Sequence, residues 1–304
     1  MKRVTLISVC AVIVGLVLAA IGFSMGGKQT LALTDEGVKI INTADKSSID
    51  KTFDGFQNIE INSLNIESLV LKEGKTFAVK GEQVEAYGNM KAEVRDGTLK
   101  ITGDRQYYKL SLFGLSISSE ETRGALEITY PAGTKLGTVR ITSGTAHVEV
   151  RDLTADTVDI ASNVGNMRLE KVRSRSLRLL ADTGNSVVVD TEANAATFRG
   201  DVGNWEIEGF KSKELTMRSR LGNIDISKSV LEGRSVIEQN TGNVTVALLQ
   251  NENEMSYEIN GGMGNVSVNG TSADGGTLKN TVAGSGNSLK MLSDLGDVSL
   301  RFAP

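Results

Sequence analysis

Few side chains in this 304-residue chain are suited to chemistry. There is one histidine, His147, and one cysteine, Cys10, so an intrachain disulfide is impossible. No Cys–Cys or Cys–His spacing suits a structural zinc, and there is neither a phosphate-binding glycine loop nor a Gly-x-Ser-x-Gly nucleophile elbow. The stretch GGMGNVSVNG, 261–270, has the glycine content of calcium-binding nonapeptide repeats, but Asn and Val stand where Asp ligands are needed. No metal site, cofactor or catalytic residue is therefore assigned. His147 reads as an outward strand residue.

Three constellations remain. Glu206 and Glu208 lie two apart, on one face of a strand, and Asp225 stands at the place corresponding to Glu206 one repeat later. Paired carboxylates in a groove can cleave a glycosidic bond. They also suit a solvated β-face, and the enzyme reading is the minor one. Arg168, Lys171, Arg173, Arg175 and Arg178 crowd into eleven residues, followed by Arg199, Arg218 and Arg220. Arg168, Arg178, Arg199 and Arg218 are the candidate anion-binding residues, because stacked like charges repel unless an anion bridges them. The alternative is pairing with Glu170, Glu192, Glu206 and Glu214. Finally, QYYKLSLFGLSIS, 106–118, is the richest apolar stretch after residue 50. Its Tyr107, Tyr108 and Phe113 are candidate partner contacts if the stretch is an exposed insertion, and core residues if it is a strand pair.

The elements that would position these residues are announced by a repeat. Gly-Asn recurs at Gly165–Asn166, Gly184–Asn185, Gly203–Asn204, Gly222–Asn223, Gly242–Asn243 and Gly264–Asn265. Adding Gly144, Gly286 and Gly296 gives spacings of 21, 19, 19, 19, 20, 22, 22 and 10. Apolar residues stand two and four places after the glycine and five before it, as in Trp205, Ile207 and Phe198, with polar residues between. That is strand alternation at a constant register. Around Gly184 the apolar set reads as shifted by one, to Val187 and Val189, and around Gly286 to Leu289 and Met291.

A repeat of about 20 residues built from short strands predicts an all-β fold: a β-solenoid in which like positions stack about 4.8 Å apart. Glycine supplies positive φ, as in a type II turn. Each Asn either satisfies its own turn or joins a ladder along the rod. The short last spacing suggests a terminal cap. Asp96–Gly97 predicts a two-residue hairpin.

Val4–Phe23 is uncharged for 20 residues, follows Lys2 and Arg3, and is long enough to span a bilayer as a helix. It reads as an uncleaved anchor rather than a signal peptide, with the N-terminus cytoplasmic and the remainder outside. The expected organisation is an anchor at 1–27, a juxtamembrane linker at 28–52, an N-terminal β segment or cap at 53–141, and solenoid repeats at 142–304. A net charge of −4 gives no reason to expect nucleic acid as a partner.

The order of anchor, FDGFQNIEINSLNIESLVLKEGKTFAV, GTLKITG, LEITYPAGTKLGTVRITSGTAHVEV and Gly-Asn strand phrases resembles the bacterial putative-adhesin β-strand-repeat family over roughly residues 50–302. The resemblance implies a non-enzymatic, membrane-tethered binding or scaffolding module at a Gram-positive envelope, and supplies no catalytic residues. Expected partners are the membrane, through residues 4–23, and an anionic wall polymer or a membrane sensor. The alternatives are an envelope-polysaccharide enzyme and an accessory of an envelope-stress sensor.

Overall fold

The structure, a computed structural model, describes residues 30–34, 37–41, 46–84, 90–103, 124–274 and 276–303, with helical positions at 8, 12–15 and 17. Most of 4–23 lies outside the described residues, as does all of 104–123 with Tyr107, Tyr108 and Phe113. Among the described residues no helix is long and apolar enough to cross a membrane.

Residues 154–170 show the repeating unit. A long strand, Thr154–Val164, runs into a corner at Gly165–Asn166 and a short strand, Met167–Glu170. Ala155, Val158, Ile160, Ser162, Met167 and Leu169 are buried. The three-residue step from Ala155 to Val158 breaks the period of two, so the strand turns there without exposing its apolar side. The next unit pairs with it in parallel: Ile160 faces Leu179 and Leu169 faces Val188. The register offset equals the repeat length, so each residue sits on its counterpart. The fold is an all-β, parallel β-solenoid.

The coils do not stack in sequence order. Asn58–Gly74 lies between Lys135–Arg151 on one side and Thr98–Gly103 with Ala125–Pro131 on the other, parallel to each. From 135–151 the stack runs through 154–170, 173–189, 192–208, 211–227 and 230–248. Residues 288–301 come next, pairing with 234–246 below and with 256–268 above. The last repeat is thus inserted one place inside the end, and does not form the terminal cap that its short spacing suggests. The outer coil carries the cap instead: Thr271–Asp274 and Thr277–Asn280 pair antiparallel to it. At the opposite end Met90–Arg95 forms a hairpin with Thr98–Gly103 across Asp96 and Gly97, whose φ values of 49 and 69 are those of the tight turn that pair predicts. Phe77–Val84 covers Ala125–Pro131 and is itself covered by Lys46–Phe53. Open parallel edges would template aggregation, and antiparallel hairpins end the ladder at each end.

The core is one continuous apolar column. Its widest part holds Phe198 and Trp205, stacked with ring centroids 5.5 Å apart, and Phe210, 5.4 Å from Phe198. Small residues make the space. A β-carbon on Gly200 would overlap the Trp205 indole, and Ser186 stacks directly on Trp205. Large beside small keeps packing dense without strain.

The structure corrects several sequence expectations. Ser186 and Val188 point inward and Val187 does not, so the apolar set around Gly184 is unshifted. Backbone pairing to Met167 and Trp205 holds the register, and a one-residue slip would turn the whole strand inside out. The corner of the 135–151 coil is Ala146–His147, not Gly144–Thr145, because Val148 pairs with Met167. Gly286 makes no corner: it lacks positive φ and nothing lies near its absent β-carbon. Leu289 and Met291 are buried, as the shifted set has them, in the strand that precedes the Gly296 corner.

Candidate functional site

The repeated corner is built from its glycine. Gly165, Gly184, Gly203, Gly222, Gly242 and Gly296 have φ between 131° and 144°, beyond the value near 80° of a type II turn. Gly264 belongs to the same row without positive φ. A second requirement explains all of them. A β-carbon on Gly203 would overlap the Gly184 carbonyl, and the same clash recurs from coil to coil. Glycine is needed because one backbone lies against the next.

The asparagines form a ladder. The backbone N–H of Asn185 donates to Asn166 Oδ1 at 2.9 Å, Asn204 to Asn185 at 2.9 Å, Asn223 to Asn204 at 2.8 Å and Asn243 to Asn223 at 2.9 Å. The inserted coil joins through Asp297, whose N–H donates to Asn243 Oδ1 and whose Oδ1 accepts from Asn265 N–H at 2.8 Å. At the other end Asn166 N–H donates to His147 Nδ1 at 3.1 Å. His147 is therefore a rung of the ladder, a role hidden by the Gly144 alignment.

A second polar row, unforeseen in the sequence, seals the opposite corner. Thr191 Oγ1 accepts from Val172 N–H, Ser229 Oγ from Phe210 N–H and Gln250 Oε1 from Leu231 N–H. Just before this row, Asp152, Lys171, Asp190, Gly209 and Lys228 share left-handed φ values of 47° to 66°. Gly209, and more weakly Asp152 and Asp190, signal that conformation in their residue type, whereas Lys171 and Lys228 do not.

The outward rows carry the charges. Arg199 and Arg218 are in-register neighbours, as their spacing predicts. Each also faces a carboxylate: Arg199 faces Asp201 at 3.9 Å and Arg218 faces Glu238 at 2.6 Å. Arg178 faces Asp159 at 3.2 Å and Arg168 faces Glu170 at 3.3 Å. Of the four carboxylates expected to pair with the arginines, Glu170 does so here; Asp159, Asp201 and Glu238 supply the other partners. Glu206 and Asp225 are adjacent and exposed, and Glu208 is held by Lys228 at 2.6 Å. The corner that precedes the long face places Lys135 2.8 Å and Arg175 3.3 Å from Asp156. The Lys135 ammonium beside it, with the Arg175 charge, holds the Asp156 carboxyl below its usual range. Beside them runs a shallow groove of about 230 Å³, lined by Lys135, Asp156, Arg173, Arg175, Glu192 and Asn194 among others. Among the described residues no group of three or more His, Cys, Asp or Glu side chains is placed to hold a metal ion.

The family model described as Toastrack DUF4097 matches residues 56–301. Comparison with curated proteins finds no match. Several solved structures are similar. One is described as a "putative adhesin" from Bacteroides fragilis, with 14% identity, TM-score 0.44, and 87% of this chain and 100% of that chain covered. Another is a "putative cell adhesion protein" from Clostridium sporogenes, with 14% identity, TM-score 0.29, and 85% and 100% covered. A third is a "putative lipid binding protein" from Parabacteroides distasonis, with 12% identity, TM-score 0.41, and 86% and 98% covered.

Proposed function

The chain belongs to the Toastrack DUF4097 family, and from that premise we propose that it is a non-enzymatic binding or scaffolding module, tethered to a membrane by residues 4–23 and displayed at the cell envelope. The observation that carries this reading is the outward surface. In-register stacking turns each exposed position into a row that runs along the rod, and the Asn ladder joins each corner to the next. Rows that repeat about every 4.8 Å offer an extended partner many equivalent contacts. The uncharged 20-residue segment behind Lys2 and Arg3 supports the tether and its orientation. The carboxylates of the enzyme alternative belong to this same outward surface: Glu206 and Asp225 are exposed, and Glu208 is engaged by Lys228.

Membrane fractionation followed by crosslinking and pull-down from intact membranes tests the proposal. The full chain is expected in the membrane fraction, a chain lacking residues 1–27 in the soluble one, and a bound macromolecule in the crosslinked eluate. Hydrolysis of envelope polysaccharide by the wild type, abolished in Glu206→Gln/Asp225→Asn, would overturn it.

A further inference from the structure

The four arginines singled out by their spacing are each held by a carboxylate. The cations left over lie on another face. Lys135, Thr154, Arg173, Glu192 and Lys211 occupy one register position on five successive coils. A cation therefore recurs on every second coil, about 10 Å apart. Two residues further along each coil stand Asp156, Arg175, Asn194 and Lys213. Arg173, Arg175, Lys211 and Lys213 are all exposed. The face holds five cations, Lys135, Arg173, Arg175, Lys211 and Lys213, against four carboxylates, Asp156, Glu192, Glu214 and Glu232. On a chain of net charge −4 that local excess is reversed in sign.

The distribution of pairs matters more than the total. Asp156 engages Lys135 and Arg175 and fixes both at the groove wall. Arg173, Lys211 and Lys213 have no carboxylate within ion-pair distance among the described residues. A cation already facing a carboxylate presents little net field, whereas an unpaired one keeps its charge for a ligand.

We propose that this strip, Lys135–Arg173–Arg175–Lys211–Lys213 with its groove, is the binding surface for a linear polyanion bearing phosphate or carboxylate groups along its chain. The proposal rests on the binding-module reading and gives it a face and a ligand chemistry. The strip is narrow, runs along the rod axis for about 20 Å, and contains a groove. A chain of anionic groups laid along that axis meets Arg173 and Lys211 in turn, with Glu192 between them setting the spacing of the anionic groups at about two coils. The Arg173 guanidinium can grip an anionic group with two hydrogen bonds, and Lys211 and Lys213 add point charges. The Asn194 amide offers a neutral donor.

The test uses the folded chain and fluorescently labelled long-chain polyphosphate, with orthophosphate and phosphatidylglycerol vesicles as separate arms. Wild-type protein should bind the polymer with an affinity that falls as salt rises, and should bind orthophosphate far more weakly. Arg173→Gln/Lys211→Gln/Lys213→Gln should weaken binding about tenfold or more. Arg178→Gln/Arg199→Gln/Arg218→Gln removes the same charge from the other face and should change it less than about twofold. Lys211→Arg/Lys213→Arg should retain binding, which separates loss of charge from loss of fold. Equal losses in the two triple variants would show that net charge rather than this face is responsible, and would overturn the proposal. So would absence of wild-type binding, or binding to vesicles without binding to polymer. If the polymer fails while the membrane pull-down recovers a protein partner, the module reading survives and this ligand does not.

Discussion

At the residue scale, two corner positions look alike in needing positive φ but differ in what surrounds them. Gly203 lies against the Gly184 carbonyl. Gly203→Ala must therefore displace backbone as well as strain it, and should cost about 2–4 kcal/mol, read as a lower denaturation midpoint. Lys171, with φ of 54°, has only its own strain to relieve. Lys171→Gly should be neutral or stabilising by up to about 1 kcal/mol in the same measurement. His147 can be tested by the residue type the ladder uses elsewhere. His147→Asn should keep the acceptor for Asn166 N–H, whereas His147→Ala should leave that donor unpaired and lower the midpoint. Tyr257 supplies a pH-dependent marker. Burial, helped by its hydrogen bond to Glu252, raises its hydroxyl from 10.0 to about 12. The folded state favours the neutral phenol, so its contribution is full below pH 10 and is lost as pH rises through 12. Alkaline titration should destabilise the wild type more than Tyr257→Phe over that window.

At the scale of the element, the coil is defined by what it buries and what it stacks on. Trp205 is the only tryptophan in the chain and is buried between Phe198 and the space left by Gly200 and Ser186. Its emission should be blue-shifted in the native state and should shift red with unfolding of the central coils. Trp205→Phe should be tolerated far better than Trp205→Ala, whose cavity should cost about 3–5 kcal/mol. Alternation and the Gly-Asn phrase made most of these coils legible in sequence. The short strand around Ser186 was misread because a buried serine broke the apolar pattern, and only backbone pairing to both neighbours decides its facing. The 135–151 coil was misaligned by two residues because Gly144 imitates a corner that Ala146–His147 makes.

At the scale of the whole molecule, the inserted coil 288–301 lies between two consecutive coils whose described strands pair with it rather than with each other. Removing residues 288–303 should therefore expose the upper edge of 230–248 and uncouple 256–268. Hydrogen exchange should show lost protection in both segments while 154–208 stays protected, because repeats couple chiefly to their nearest neighbours. The charged rows belong to this scale as well. Spacing placed Arg199 beside Arg218, and Glu238, which holds Arg218, shares their offset of four before the glycine, whereas Asp201, which holds Arg199, stands two before it. The unpaired cations of the opposite corner emerge only when five coils are laid together.

By itself, the order of residues settled the all-β class, the repeat length and most of the inward and outward alternation, because each follows from local φ preference and a period of two; the asparagines it left open between turn and ladder. The axial order of the coils, the partner of each charge and the true corner at His147 were decided by tertiary structure. Those depend on which distant backbone edge a strand meets, and identical edges make every coil a plausible neighbour until the caps and the inserted strand exclude all arrangements but one.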